Sequence, residues 1–147
     1  CYKLTPEIIS ILGKQLRKLC KKYGASLAIT PSRRTGQENI KALNGILADQ
    51  PTVIWDFKDE NPYLGYLGLA EFIIVTCDSI NMISEACGTG KPVYVVDLPG
   101  GNKKFNEFHS NMKAAGYTRP FQGRLEKWDY QPPSDLEKVA AKVLELL

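Results

Sequence analysis

Four short apolar runs limit what this chain can fold into: SLAIT (26–30), TVIWD (52–56), EFIIVT (71–76) and PVYVVDL (92–98). Each has the length and the β-branched or aromatic content of a strand. They are apolar on both faces, and such strands belong to parallel sheets covered on both sides. Between the runs the hydrophobic period changes to that of a helix. Regular alternation of strand and helix predicts an α/β fold, a doubly wound parallel sheet with helices on both faces.

The helices carry their own punctuation. Thr5, Pro6 and Glu7 supply an N-cap, a first helical residue and a first-turn acid. Ile9, Leu12, Leu16, Leu19 and Tyr23 then recur at helical spacing, and Gly24 stops the helix. Further helices are predicted over QENIKALNGILA (37–48), YLGYLGLA (63–70), the segment opening at Asp78-Ser79 and ended by Gly88 and Gly90, KKFNEFHSNMKAAG (103–116) and SDLEKVAAKVLELL (134–147), the last with Ser134 as N-cap. PSRRTG (31–36), FKDENP (57–62) and PGGN (99–102) read as loops, and 117–134 reads as irregular. The first element is a helix where such folds begin with a strand. That opening strand is expected upstream of residue 1, central in the sheet between SLAIT and EFIIVT.

At 147 residues the chain is expected to be one domain, 1–147. A hydrophobic share of 44% excludes a disordered chain. The net charge of +3 is too mild to point to nucleic acid, and no apolar run is long enough to span a bilayer. Cys1, Cys20, Cys77 and Cys87 have no metal-ligand spacing and read as reduced cysteines of the core.

In an open parallel sheet, ligands bind beyond the carboxyl ends of the strands. The loops that follow the strands therefore carry the candidate chemistry. Ser32-Arg33-Arg34-Thr35 offers two guanidiniums and two hydroxyls, a set that suits phosphate oxygens, or else forms a solvated basic turn. Ser79 is expected to cap the next helix, whose first N–H groups around Ile80 to Met82 would suit a phosphate. Asp78, Asn81, Met82 and Glu85 share one face of that helix, and Ile80, Ile83 and Cys87 form its apolar face. A carboxylate at Glu85 can accept hydrogen bonds from vicinal ribose hydroxyls; the plainer alternative is a solvated acid or a pair with Lys91. GTGK (88–91) lacks the spacing of a P-loop, and His109 reads as a packed rather than a catalytic histidine.

TPSRRTG, ENPYLGYLGLAEFIIVTCDSINMISEACGTGKPVYVVDL, KKFNEFH and RPFQGRLEKWDYQPPSD together resemble the mitochondrial-fission "elongated mitochondria" family. Bacterial members of that family are labelled predicted nucleoside-diphosphate-sugar epimerases. The match covers nearly the whole chain and corresponds to the C-terminal half of family proteins. The DS…SEA…GKPV block is also similar to the donor-binding half of GT-B glycosyltransferases, a Rossmann-like domain. That resemblance implies a nucleoside diphosphate sugar as ligand. Ser79, Asn81 and Met82 would sit at the diphosphate, Glu85 at the ribose and Phe57 near the base. Lys103 and Lys104 would lie at the sugar, although the acid or glutamine pair usual there is absent. It further implies an N-terminal acceptor domain as partner, no metal and no cofactor. A bacterial member would be cytoplasmic, and a plant member would lie at the mitochondrial outer surface. Catalytic residues are not assigned.

Three functions follow as expectations. The first is the donor half of a GT-B-type transferase that stabilises a leaving nucleoside diphosphate. The second is a nucleoside-diphosphate-sugar epimerase of the same architecture; an NAD-dependent one would need a GxGxxG turn, which is not found in this sequence. The third is a non-catalytic interaction protein for membrane fission, which exposed apolar patches would favour.

Overall fold

The computed structural model describes residues 2–132. Cys1 and the helix predicted over 134–147 lie outside the described residues. The chain divides into two compact units. Leu4–Gly68 with Gly123–Leu125 makes one, the β1–β2 unit. Within the described residues, residues 2–3, Leu69–Gln122 and 126–132 make the other, the β3–β5 unit.

The β1–β2 unit holds α1 (Pro6–Tyr23), β1 (Leu27–Ile29), α2 (Gln37–Ile46) and β2 (Thr52–Ile54), with α3 (Tyr63–Leu69) following. Thr5 caps α1 as the sequence predicts: its hydroxyl oxygen accepts the Ile8 N–H at 3.2 Å. Gly24 ends the helix in the left-handed conformation, φ 62°, which an L side chain resists. Ile9, Leu12, Leu16 and Leu19 are buried, whereas Tyr23 is 47% exposed and has the Lys22 ammonium over its ring. The stripe thus ends one turn earlier than its spacing suggests. Gly13 lets α2 approach closely, since a Cβ there would lie 2.9 Å from Ile46 Cδ1. β1 and β2 pair in parallel, Leu27 opposite Thr52. Ala28 and Val53 are exposed, so within this unit only one face of the two strands is covered.

The β3–β5 unit holds β3 (Ile73–Thr76), α4 (Ile80–Cys87), β4 (Val93–Val96), α5 (Lys103–Ala114) and β5 (Thr118–Pro120). Its sheet has the order β3-β4-β5, all parallel, with β4 buried along its whole length. β5 corrects the sequence reading of 117–134 as irregular. Pro120 hides the strand from a propensity argument, because proline cannot donate to a ladder and is tolerated only at an edge. Beyond it the chain straps back over the unit. The Tyr94 hydroxyl accepts the Glu126 N–H at 2.7 Å, and the Arg119 guanidinium lies 4.2 Å from the Trp128 ring centroid. The Tyr130 hydroxyl sits 2.6 Å from the Lys91 carbonyl and 3.2 Å from that of Cys87.

The fold is therefore α/β with parallel sheets, as the alternation of elements predicts. Cys20, Cys77 and Cys87 are free and buried.

Candidate functional site

The carboxyl edge of the β3–β5 sheet is fixed by a buried cluster. Cys77 follows β3, and its Sγ accepts the Leu98 N–H at 3.2 Å, which fastens the loop after β3 to the loop after β4. Lys3 N–H donates to the Pro99 carbonyl at 2.9 Å, so the chain start crosses the same edge. The Tyr2 ring meets Phe105 edge-on at 5.3 Å and His109 at 6.4 Å. Gly101 allows this approach: it sits at φ +89°, and a Cβ would lie 2.7 Å from the Tyr2 ring. Burial, with Cys77, Asp78 and Asp97 nearby, pushes the Tyr2 phenol up to about 12.

His109 belongs to this cluster and is a packing residue, as the sequence suggests. Its Nε2 is buried without a hydrogen-bond partner. Burial lowers its pKa; the Cys77 backbone and Asp97 oppose the shift and Lys113 adds to it. A histidine held neutral in the native state gives up stability when the unfolded chain can bind a proton that the folded chain resists. Stability is then fully present above the ordinary value near 6.5 and falls as pH drops through it. We expect the urea midpoint of the wild-type chain to fall between pH 7.5 and about 5.5 by more than that of His109→Gln. Equal pH slopes in the two proteins would mean that His109 is not buried neutral.

α4 opens differently from the sequence expectation. Ser79 occupies the N-cap position, but its hydroxyl makes no capping bond. It lies instead 3.5 Å from Asp78 Oδ1, which also accepts the Thr76 hydroxyl at 2.6 Å. The Ser79 side chain thus leaves the first turn of α4, around Asn81 and Met82, without the usual N-cap bond. Asn81 and Glu85 are exposed on one face, Met82 is half-buried, and Ile80, Ile83 and Cys87 are buried on the apolar face, as their spacing predicts. Glu85 forms no ion pair among the described residues.

After β4, Asn102 caps α5 by accepting the Phe105 N–H at 3.0 Å. Lys103 and Lys104 stand exposed in the first turn of that helix. Two cations there oppose the helix dipole and make the spot electropositive.

The other candidates lie in the β1–β2 unit. Arg33–Thr35 is a single 3-10 turn rather than an open loop. The Ser32 N–H donates to Thr35 Oγ1 at 3.1 Å, and Thr35 N–H returns a bond to the Ser32 carbonyl. Asn39 Nδ2 donates to the Thr35 carbonyl at 2.8 Å and to that of Leu4 at 3.1 Å. The Thr35 hydroxyl thus has a structural task, while the Arg33 and Arg34 side chains are exposed. Phe57 has φ +67°, an unusual backbone for a bulky residue, and its ring lies 4.4 Å from that of Trp55. Trp55 Nε1 donates to the Asp59 carbonyl at 3.1 Å, and Asp56 Oδ1 accepts the Lys58 N–H. Sequence reasoning passed over Trp55; the signal was an aromatic ring at the carboxyl end of a strand.

Ser79, Asn81, Met82, Glu85, Lys103 and Lys104 thus belong to one unit, and Ser32, Arg33, Arg34, Thr35 and Phe57 to the other. Among the described residues no group of three His, Cys, Asp or Glu could hold a metal ion, and no helix is long and apolar enough to cross a membrane.

A family model described as "Mitochondrial fission ELM1" matches residues 1–147. The chain is 38% identical over 122 residues to a mitochondrial fission protein of Arabidopsis thaliana, covering 80% of this chain and 29% of that protein. It is 33% identical over 147 residues to an uncharacterized protein of Rickettsia prowazekii, covering 95% of this chain and 41% of that one. The chain therefore spans less than half the length of these relatives. No solved structure gives a significant match.

Proposed function

The chain belongs to the mitochondrial fission ELM1 family, and we propose that it binds a nucleoside diphosphate sugar as the donor half of a GT-B-type, glycosyltransferase-like protein. One observation carries the proposal: α4 begins at the carboxyl end of a parallel sheet, and its N-cap residue Ser79 makes no side-chain capping bond. Backbone N–H groups in that position, with the positive end of the helix dipole, suit a phosphate. Glu85 stands exposed one turn further along the same face as Asn81, where a carboxylate can take the ribose hydroxyls. Lys103 stands exposed in the first turn of α5, where a bound anion would offset its conflict with the helix dipole, which supports the assignment of Lys103 and Lys104 to the sugar.

In the β1–β2 unit, Ser32, Arg33, Arg34 and Thr35 are assigned to phosphate by chemistry. Phe57 is assigned to the base, with Trp55 beneath it. A non-glycine residue in the left-handed region costs about 1–3 kcal/mol and tends to mark functional loops. On this reading the diphosphate leaves a donor sugar with its charge stabilised by N–H groups and cations, without a metal or cofactor. The N-terminal part of the full-length protein would supply the acceptor.

Calorimetry with nucleoside diphosphates, the matching monophosphates and pyrophosphate in the presence of a chelator tests this. Diphosphates are expected to bind at least about tenfold tighter than monophosphates, equivalent to ~1.4 kcal/mol. Absence of heat with every diphosphate and diphosphate sugar would remove the proposal. The double variant Arg33→Ala, Arg34→Ala is expected to lose about 1.5–3 kcal/mol of that binding and to flatten its salt dependence, the scale of charged hydrogen bonds. Unchanged affinity and salt slope would make the loop a solvated basic turn.

A second reading, an interaction protein without catalysis, draws on α3. Leu64 is 73% exposed and Leu69 84%, on one seven-residue helix. Loss of organelle-fission function on Leu64→Ser with diphosphate binding intact would favour it.

A further inference from the structure

We propose that the outward face of α1 docks on an anionic lipid surface. Lys14, Lys18, Lys21 and Lys22 are all exposed, and their spacing of three and four residues puts them on the side of the helix opposite the buried Ile9, Leu12, Leu16 and Leu19. None of the four forms an ion pair with a described residue. The acid that α1 does meet, Asp49, is taken by Arg17, whose Nε donates to Asp49 Oδ1 at 3.0 Å. Lys21 and Lys22 fall in the last turn, where the helix dipole favours cations, but Lys14 and Lys18 do not. Lys14–Lys18 and Lys18–Lys22 are like-charge pairs four residues apart, which destabilise a helix. An anionic partner relieves that repulsion. A face that is merely solvated mixes both signs, whereas Glu7 in the first turn is the one acid of α1.

The apolar content of the face selects lipid among anions. Ile11 is 59% exposed and stands three residues before Lys14, on the same side. Tyr23 at the far end is exposed, with the Lys22 ammonium over its ring. Lysines on long stems, interleaved with an aliphatic side chain and closed by a tyrosine, suit the boundary between acidic headgroups and acyl chains. A nucleic-acid surface draws instead on free arginine forks and bare aromatic faces. The arginine of α1 is closed by Asp49, and the tyrosine ring is covered by Lys22. The 18 residues of α1 span about 27 Å, so the four ammoniums can meet one plane together. No residue assigned to the diphosphate lies on α1, so the proposal stands or falls separately from nucleotide binding.

Co-sedimentation of the full-length protein with vesicles of phosphatidylcholine, pure or mixed about 2:1 with phosphatidylserine, tests it. The acidic vesicles are expected to bind at least about tenfold more tightly, an advantage that salt screens. Lys14→Gln with Lys18→Gln should lose about 30-fold, roughly fivefold for each lysine, without lowering the urea midpoint. The charge-matched control Lys113→Gln with Lys127→Gln, both exposed and away from α1, should lose less than about threefold. Ile11→Ser should lose about fivefold on acidic vesicles and nothing on immobilised polyglutamate or duplex DNA. Equal binding to the two kinds of vesicle overturns the proposal, as does the absence of loss from the α1 lysine pair. Equal loss in the two double variants would reduce the effect to net charge and overturn it too. An Ile11→Ser variant that binds acidic vesicles as the wild type does would make the face a site for an acidic protein or a nucleic acid, not for lipid.

Discussion

Glu85→Ala is expected to weaken nucleoside diphosphate binding by about 1.5–3 kcal/mol, roughly 10- to 150-fold, with little change in unfolding midpoint. The two halves of that expectation come from the same helix. Glu85 is exposed on α4 and forms no ion pair among the described residues, so its removal leaves no buried partner unsatisfied. The fold is held by the opposite face, where Ile83, Ala86 and Cys87 are fully buried. The carboxylate's partner on this reading is the ribose, so a 2′,3′-dideoxy diphosphate should bind the wild-type chain as weakly as the normal ligand binds Glu85→Ala. The two changes together should cost little more than either alone. Additive losses would place Glu85 away from the ribose, and no loss would leave it a solvated acid.

Glu85 was visible in the sequence because helical spacing alone separates it from Ile83 and Cys87. The same holds for α1, where Thr5, Pro6 and Gly24 all serve as their types suggest. The misses have physical causes. Ser79 has the right type and place for a cap, but its hydroxyl makes no capping bond and lies near Asp78, an arrangement visible only in three dimensions. β5 was obscured by Pro120, whose edge position is visible only once its neighbour β4 is known. The cluster of Tyr2, Cys77, Gly101 and His109 joins residues far apart in sequence, none of which carries a local signal of the others. Spacing rules see along one element; they do not see what the next element brings to its end. The strain at Phe57 was equally hidden, since backbone angles are set by the turn as a whole and not by residue type.

Phe108→Ala should be the most damaging single truncation in the described core, with an expected loss of about 3–5 kcal/mol in urea unfolding. Phe108 is 2% exposed and heads the fully buried side chains by volume. It lies in the middle of α5, whose other buried residue, Met112, is one turn further on the same face. Few apolar side chains anchor this helix, since its remaining positions are mostly polar or charged. Their shortage makes the truncation worse, because there is little neighbouring apolar mass to collapse into the cavity. Domains of ordinary stability have only about 5–15 kcal/mol in total, so the variant should be near the limit of folding. Phe108→Leu keeps part of the volume and should cost appreciably less. The functional consequence separates packing from chemistry. α5 presents Lys103 and Lys104 from its first turn, so a loosened helix should lower diphosphate affinity, and an osmolyte that favours the compact state should restore it. A direct lysine variant would show no such recovery. Should Phe108→Ala unfold at the same urea concentration as Asn106→Ala, an exposed position on the same helix, α5 cannot be docked on the sheet as described.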